Sequence, residues 1–137
     1  MGLLPSGLSE VIVDDEDLAR FLTSSSHFNT HIAKPAAFLP NPQDRETSIF
    51  RHGNKPLDRL REIGIEYVVG ERKLHGAAIF KAHHVRTAQL DVAAEEPPPR
   101  HAAIRNWPWL ESDPELQKAK QKEMAAVISS KAELVWL

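Results

Sequence analysis

Apolar positions along this chain recur at two spacings, and the switches between them divide it into elements. In VDDEDLARFL, residues 13–22, Asp14 stands where an N-cap belongs, acidic residues fill the following turn, and Leu18, Phe21 and Leu22 share a helical face. The pattern predicts a short amphipathic helix over 14–22 that ends near Ser24 to Ser26. KPAAFLPNPQDRET then carries Pro35, Pro40 and Pro42, which predict an extended surface crossing and no regular element. The β-branched and aromatic residues of Thr47 to Arg51 predict a strand, turned at His52-Gly53-Asn54.

Helical spacing returns in Leu57, Leu60, Ile63 and Tyr67, with Pro56 suited to a first turn, and predicts a helix over 56–69 that Gly64 weakens. A turn at Gly70, or between Lys73 and Gly76, leads to a strand at 77–80. AHHVRTAQ reads as one or two helical turns and Leu90 to Ala93 as another strand. Glu95-Glu96-Pro97-Pro98-Pro99 cannot donate to an inner ladder, so it lies at an edge or leaves the sheet as polyproline II. His101 to Ile104 resumes an extended segment. A last helix over 113–131 is announced by a Ser112/Glu115 capping box and Pro114. Its apolar stripe runs through Leu116, Ala119, Met124, Val127, Ile128, Leu134 and Val135. The succession predicts one α+β domain over residues 1–137: a small mixed or antiparallel sheet of four or five strands flanked by three helices.

Composition agrees with a folded domain. The 137 residues are 42% hydrophobic and 26% charged, near the globular average. There is no cysteine, which removes disulfides, thiolate metal sites and cysteine nucleophiles. A net charge of −2 gives no global attraction to nucleic acid. The opening MGLLPSGLSEVIV has neither a charged leader nor a long apolar core, and no apolar run is long enough to span a membrane. A cytoplasmic bacterial protein is expected, with no cofactor.

GAAIFKAHHVRTAQLDVAAEEPPPRHAAI resembles a recurrent segment of small bacterial proteins of uncharacterised function: strand, short helix with a Val-Arg pair, strand, acidic proline turn, then His-Ala and aliphatics. KPAAFLPNPQDRETSIFR resembles their companion segment, in which a Pro-x-x-Phe run precedes a Ser-aliphatic strand. The resemblance covers about half of the chain and carries no activity with it. It implies that Phe38, Ser48, Arg51 and His101 belong to one compact α+β unit.

Candidate chemistry is sparse. His27 and His31 have the i, i+4 spacing of a helical metal pair, but Phe28 stands where the zinc-protease pattern needs glutamate, and no metal site is expected. His83 and His84, adjacent on a helix, point about 100° apart and suit surface or structural roles. His101 is the most suggestive, because an imidazole held at a strand start can exchange protons near neutral pH. Ser48, Arg51 and Glu95 or Glu96 complete a site with it only if the fold gathers them. Otherwise the imidazole bonds a backbone carbonyl, and the bare sequence favours that structural role. Neither a glycine-rich phosphate loop nor a GxSxG elbow is present.

Arg45, Arg51, Lys55 and Arg59, with His52 and Arg61, give a basic cluster interleaved with Asp44, Glu46, Asp58 and Glu62. Trp107-Pro108-Trp109 and the Val135-Trp136-Leu137 end supply large aromatics suited to a protein partner or to self-association. Three functions follow. The first is a non-enzymatic accessory protein of a bacterial operon, binding a partner or itself through Trp107, Trp109 and Trp136. The second is a phosphoester- or nucleotide-directed hydrolase, with His101 as acid or base, Arg51 as anion clamp and Ser48 beside them. The third is weak nucleic-acid binding by the basic cluster.

Overall fold

A computed structural model describes residues 2–52 and 55–137. Its strands are β1 (Asp17–Leu22), β2 (Thr47–Arg51), β3 (Gly76–Lys81), β4 (Asp91–Ala94), β5 (His101–Arg105) and β6 (Glu133–Trp136). Its α-helices are α1 (Leu57–Tyr67), α2 (Ala82–Thr87) and α3 (Pro114–Ser129). The strands form one sheet in the order β4-β5-β2-β1-β3-β6, every neighbouring pair antiparallel. The fold is α+β with three helices as expected, but the sheet has six strands where four or five were expected. The turn expected at His52-Gly53-Asn54 falls partly outside the described residues.

The first extra strand is the segment expected as a helix over 14–22. It forms β1, which with β2 makes the centre of the sheet, and pairs along its full length with β3, from Asp17↔Lys81 to Leu22↔Gly76. Leu18 and Leu22 enter the core on one face, and Ala19 and Phe21 on the other. A strand buried on both faces places apolar residues at spacings that also fit one side of a helix, so periodicity alone misassigns it. The acidic residues that looked like a helix start serve as ion partners, Asp14 for Arg86 and Asp17 for Lys81.

The second extra strand comes from the C-terminus. Leu134 and Val135, expected on the stripe of the last helix, lie instead in β6 against β3. α3 stops at Ser129, whose hydroxyl donates to the Ala33 carbonyl 2.6 Å away. Its N-cap is Asp113, which accepts from the Leu116 amide at 3.0 Å, rather than Ser112 in a capping box.

The sheet separates two cores. On one face Leu18, Leu22, Ile49, Phe80 and Ile104 pack under α2, α3 and a 3-10 turn at Pro35–Phe38. Phe38 is fully buried, edge-on to Phe80, so the first part of the proline-rich crossing enters the core with Ala37 and Pro40, while residues 41–45 lie on the surface as expected. On the other face α1 lays Leu60 and Ile63 over Ala19, Phe21, Phe50 and Ala77. Gly64 permits that approach, since a Cβ there would lie 2.9 Å from the Phe21 ring. No helix among the described residues is long and apolar enough to cross a membrane.

Candidate active cleft

β1 and β2 pair only at Leu18↔Arg51 and Ala19↔Phe50; beyond that the two strands part. The Arg20 guanidinium fills the gap, its Nε donating to the Ala37 carbonyl at 2.7 Å and its Nη1 to the Ser48 carbonyl at 2.8 Å. A cleft of about 450 Å³ opens over this parting, between the end of α1 and the loop leading to β2. Phe21, Ser48 and Phe50 line it from the sheet, His101 and Pro98 from one side, and Tyr67 and Arg72 from α1 and the loop after it.

Ser48 and His101 are diagonal neighbours on the β2–β5 ladder, where Ser48 pairs with Ala103 and Phe50 with His101. Ser48 Oγ lies 2.7 Å from His101 Nε2, and His101 Nδ1 lies 2.8 Å from the Glu95 carbonyl. The imidazole stands edge-on to the Phe50 ring, at 5.3 Å between centroids. The backbone-carbonyl bond expected of a structural histidine is present, and so is a hydroxyl partner on the other nitrogen.

Behind His101 is a carboxylate pair. Glu95 Oε1 is 3.7 Å from His101 Nδ1, and Glu95 Oε2 accepts from Arg105 Nη2 at 2.6 Å. Glu46 Oε2 approaches Arg105 Nε at 2.7 Å, out of line for a well-directed hydrogen bond. Burial raises the Glu46 carboxyl above its ordinary value, helped by its hydrogen bond to Glu95 and the repulsion between them. Burial also works to raise Glu95, but hydrogen bonds from Arg105 and Glu46 and the charge of His101 outweigh it and hold Glu95 low. Of the two carboxyls, Glu46 is therefore the one that binds a proton first as pH falls, and Glu95 the one that keeps its charge longest.

Two arginines face this cleft with no carboxylate within 4.0 Å among the described residues. Burial, with Arg72 nearby, lowers the Arg20 guanidinium to about 10. Arg72 donates to the Val68 and Val69 carbonyls and to Thr23 Oγ1. Neutral oxygens orient both groups and leave their charge uncompensated.

Arg51, expected as the anion clamp for His101, is elsewhere. It lies an odd number of residues from Ser48 on β2 and so points through the other face, with 3% of its side chain exposed. There it grips both Glu16 oxygens and the Ser9 carbonyl, pinning the N-terminal segment. Glu96 also serves that segment, accepting from Ser6 and the Arg100 amide. Arg45 stacks over Trp109 at 4.7 Å and pairs with Glu111, and Arg59 pairs with Glu62 on α1. Burial withdraws Arg51 from the basic cluster read with Arg45, Lys55 and Arg59.

Of the tryptophans, Trp107 is buried and Trp109 half-buried against the larger core, both with unpartnered indole nitrogens, while Trp136 is 52% exposed beside Phe28. His27 ends a 3-10 turn and His31 follows in a bend, so their spacing is not that of a helix pair. The His83 and His84 rings, expected to diverge, touch at 3.9 Å between centroids.

Sequence reasoning missed Arg20, Arg72, Glu46 and Arg105. Arg20 carried a signal, a charge between Ala19 and Phe21 inside an apolar run, but on a helix it falls harmlessly on the outer face. No protein family, curated protein or solved structure matches this chain.

Proposed function

We propose that the cleft binds a small phosphate-bearing ligand and that the protein is a phosphoester-directed hydrolase with His101 as its proton-transfer group. The reading is carried by Arg20 and Arg72, two oriented guanidinium groups without carboxylate partners facing the cavity that holds the Ser48–His101 pair. Leaving a half-buried guanidinium without a counter-ion costs free energy that an anionic ligand recovers. Arg20 and Arg72 take the role expected of Arg51. Acidic Asp44 and Glu46 also border the cleft, and Glu46 lies 2.7 Å from the Arg105 guanidinium, which offsets its charge. The bacterial, cytoplasmic setting read from the sequence belongs to the same proposal.

Titration with inorganic phosphate, followed by amide NMR, tests this. Shifts are expected at Ser48, Arg72 and His101, and Arg72→Gln should weaken binding about tenfold, the loss of one charge-assisted contact. Binding that is absent, or indifferent to Arg72→Gln, would remove the anion assignment.

A second reading, self-association, is favoured by the edge strand β6, whose Trp136 is 52% exposed. It rests on Trp136, because Trp107 is buried and Trp109 half-buried.

A further inference from the structure

We propose that Ser48 is the nucleophile of this cleft and accepts a phosphoryl group from a phosphoanhydride, or from a phosphate ester of an acidic alcohol. The inference rests on the anion reading above and extends it to a covalent step.

The first support is the direction of the hydrogen bonds. A carbonyl oxygen only accepts, so the 2.8 Å contact to the Glu95 carbonyl requires the hydrogen on His101 Nδ1. In the neutral imidazole Nε2 then holds a lone pair, and the Ser48 hydroxyl 2.7 Å away is the donor. The hydroxyl proton is aimed at its base before substrate arrives, as an activated serine requires. The imidazolium that forms faces Glu95 Oε1 at 3.7 Å, and Arg105 fixes that carboxylate. This is a nucleophile, a base and an orienting group, with a backbone carbonyl and a carboxylate of one residue sharing the third role.

The second support is access and charge. Ser48 is exposed to the cleft, whereas only 13% of the His101 side chain is exposed, so substrate meets the hydroxyl before the base. Arg20 springs from the opposite face of β1 and reaches through the β1–β2 parting, where its Nη1 donates to the backbone carbonyl of the attacking residue at 2.8 Å. Its Nη2 has no hydrogen-bond partner among the described residues and is free to meet a phosphoryl oxygen.

Geometry also selects the substrate. In-line displacement places the leaving oxygen on the far side of phosphorus from Ser48 Oγ. His101 Nε2 sits on the near side and cannot protonate it. The leaving group must therefore depart as a stable anion, which a phosphate, a carboxylate or an acidic phenol does and a simple alcohol does not.

In the first step the Oγ–P bond forms, the P–O bond to the leaving group breaks with its electron pair going to that oxygen, and the Oγ proton moves to Nε2. In the second, water attacks phosphorus from the vacated side and gives its proton to solvent. The Oγ–P bond then breaks toward Oγ, which recovers the proton from Nε2. One proton travels out and back, and inorganic phosphate leaves.

The test uses 4-nitrophenyl phosphate and acetyl phosphate on the full chain, with acid quench and mass mapping of the peptides. Wild type should give a nitrophenolate burst stoichiometric with protein and one acid-stable phosphoryl group on Ser48. Ser48→Ala should abolish both while still binding inorganic phosphate, and His101→Gln should slow the burst about a hundredfold or more. Phosphate binding with undiminished turnover in Ser48→Ala, or with no label on Ser48, would overturn the nucleophile and leave the anion site standing. Loss of phosphate binding in wild type would overturn both. Circular dichroism on each variant separates these results from misfolding.

Discussion

Glu46 and Glu95 meet at Arg105 with opposite displacements from ordinary carboxyl behaviour, and that difference makes the support of His101 dependent on pH. A carboxyl raised by folding binds more protons in the native state than in the unfolded one. Stability from Glu46 is therefore present below the ordinary value of 4.5 and is lost as pH rises through its raised folded value. Glu95 acts the other way: folding lowers it, and its contribution is lost as pH falls. Glu46→Gln keeps a donor toward Glu95 that cannot ionise, while losing an attraction to Arg105 that is already poorly aligned. Urea unfolding should find wild type and Glu46→Gln equal near about pH 4, with the variant ahead by roughly 0.5–1 kcal/mol near about pH 8. A constant gap across that range would show that no proton is shared.

Elements were legible where one physical requirement dominated, and less so where two coincided. Thr47–Arg51 stands where the sequence placed it, and α2, His101–Arg105 and α1 depart by one or two residues at their ends. β1 was lost because double burial mimics helical spacing, and with it went Arg20, one of the two arginines that face the cleft. β6 was lost because nothing local distinguishes a helix continuing past Ser129 from a strand that finds an open edge. The Ser48–His101 contact was visible only as a possibility of composition, since it depends on the β2–β5 register. Gly76 carries the deciding information for β6: a Cβ there would collide with the Val135 carbonyl oxygen. Gly76→Ala should therefore cost about 1–3 kcal/mol. The loss should be local as well as global, with the Leu137 amide, which donates to the His75 carbonyl at 3.2 Å, exchanging faster than amides of β2 and β5. Uniform acceleration across the sheet would show that β6 is no separate unit.

At the scale of the whole molecule, the two ends of the sheet differ from its middle in what they leave unpaired. The centre carries packed apolar residues on both faces, opens only at the cleft over the β1–β2 parting, and is tied to the N-terminal segment by Arg51 and Glu96. The edge at β6 is open. The Leu137 amide bonds the His75 carbonyl, and antiparallel alternation then turns the Val135 and Glu133 backbone groups toward β3 as well. The Leu134 and Trp136 backbone groups consequently face outward, beside an indole that is 52% exposed. A second copy of β6 lying antiparallel would satisfy both sets through the same residues by two-fold symmetry, and would cover both indoles. The opposite edge, β4, offers no comparable exposed aromatic: its outermost side chains are Asp91 and alanines around a buried Val92. Light scattering across a concentration series should therefore show a monomer–dimer equilibrium in wild type that Trp136→Lys abolishes while the fold is kept, because a charged edge side chain disfavours strand addition. The cleft lies on the β1–β2 side of the sheet, so phosphate binding should survive that substitution. A wild type that stays monomeric at every concentration would leave Trp136 as an ordinary surface residue and the cleft as the molecule's one functional feature under test.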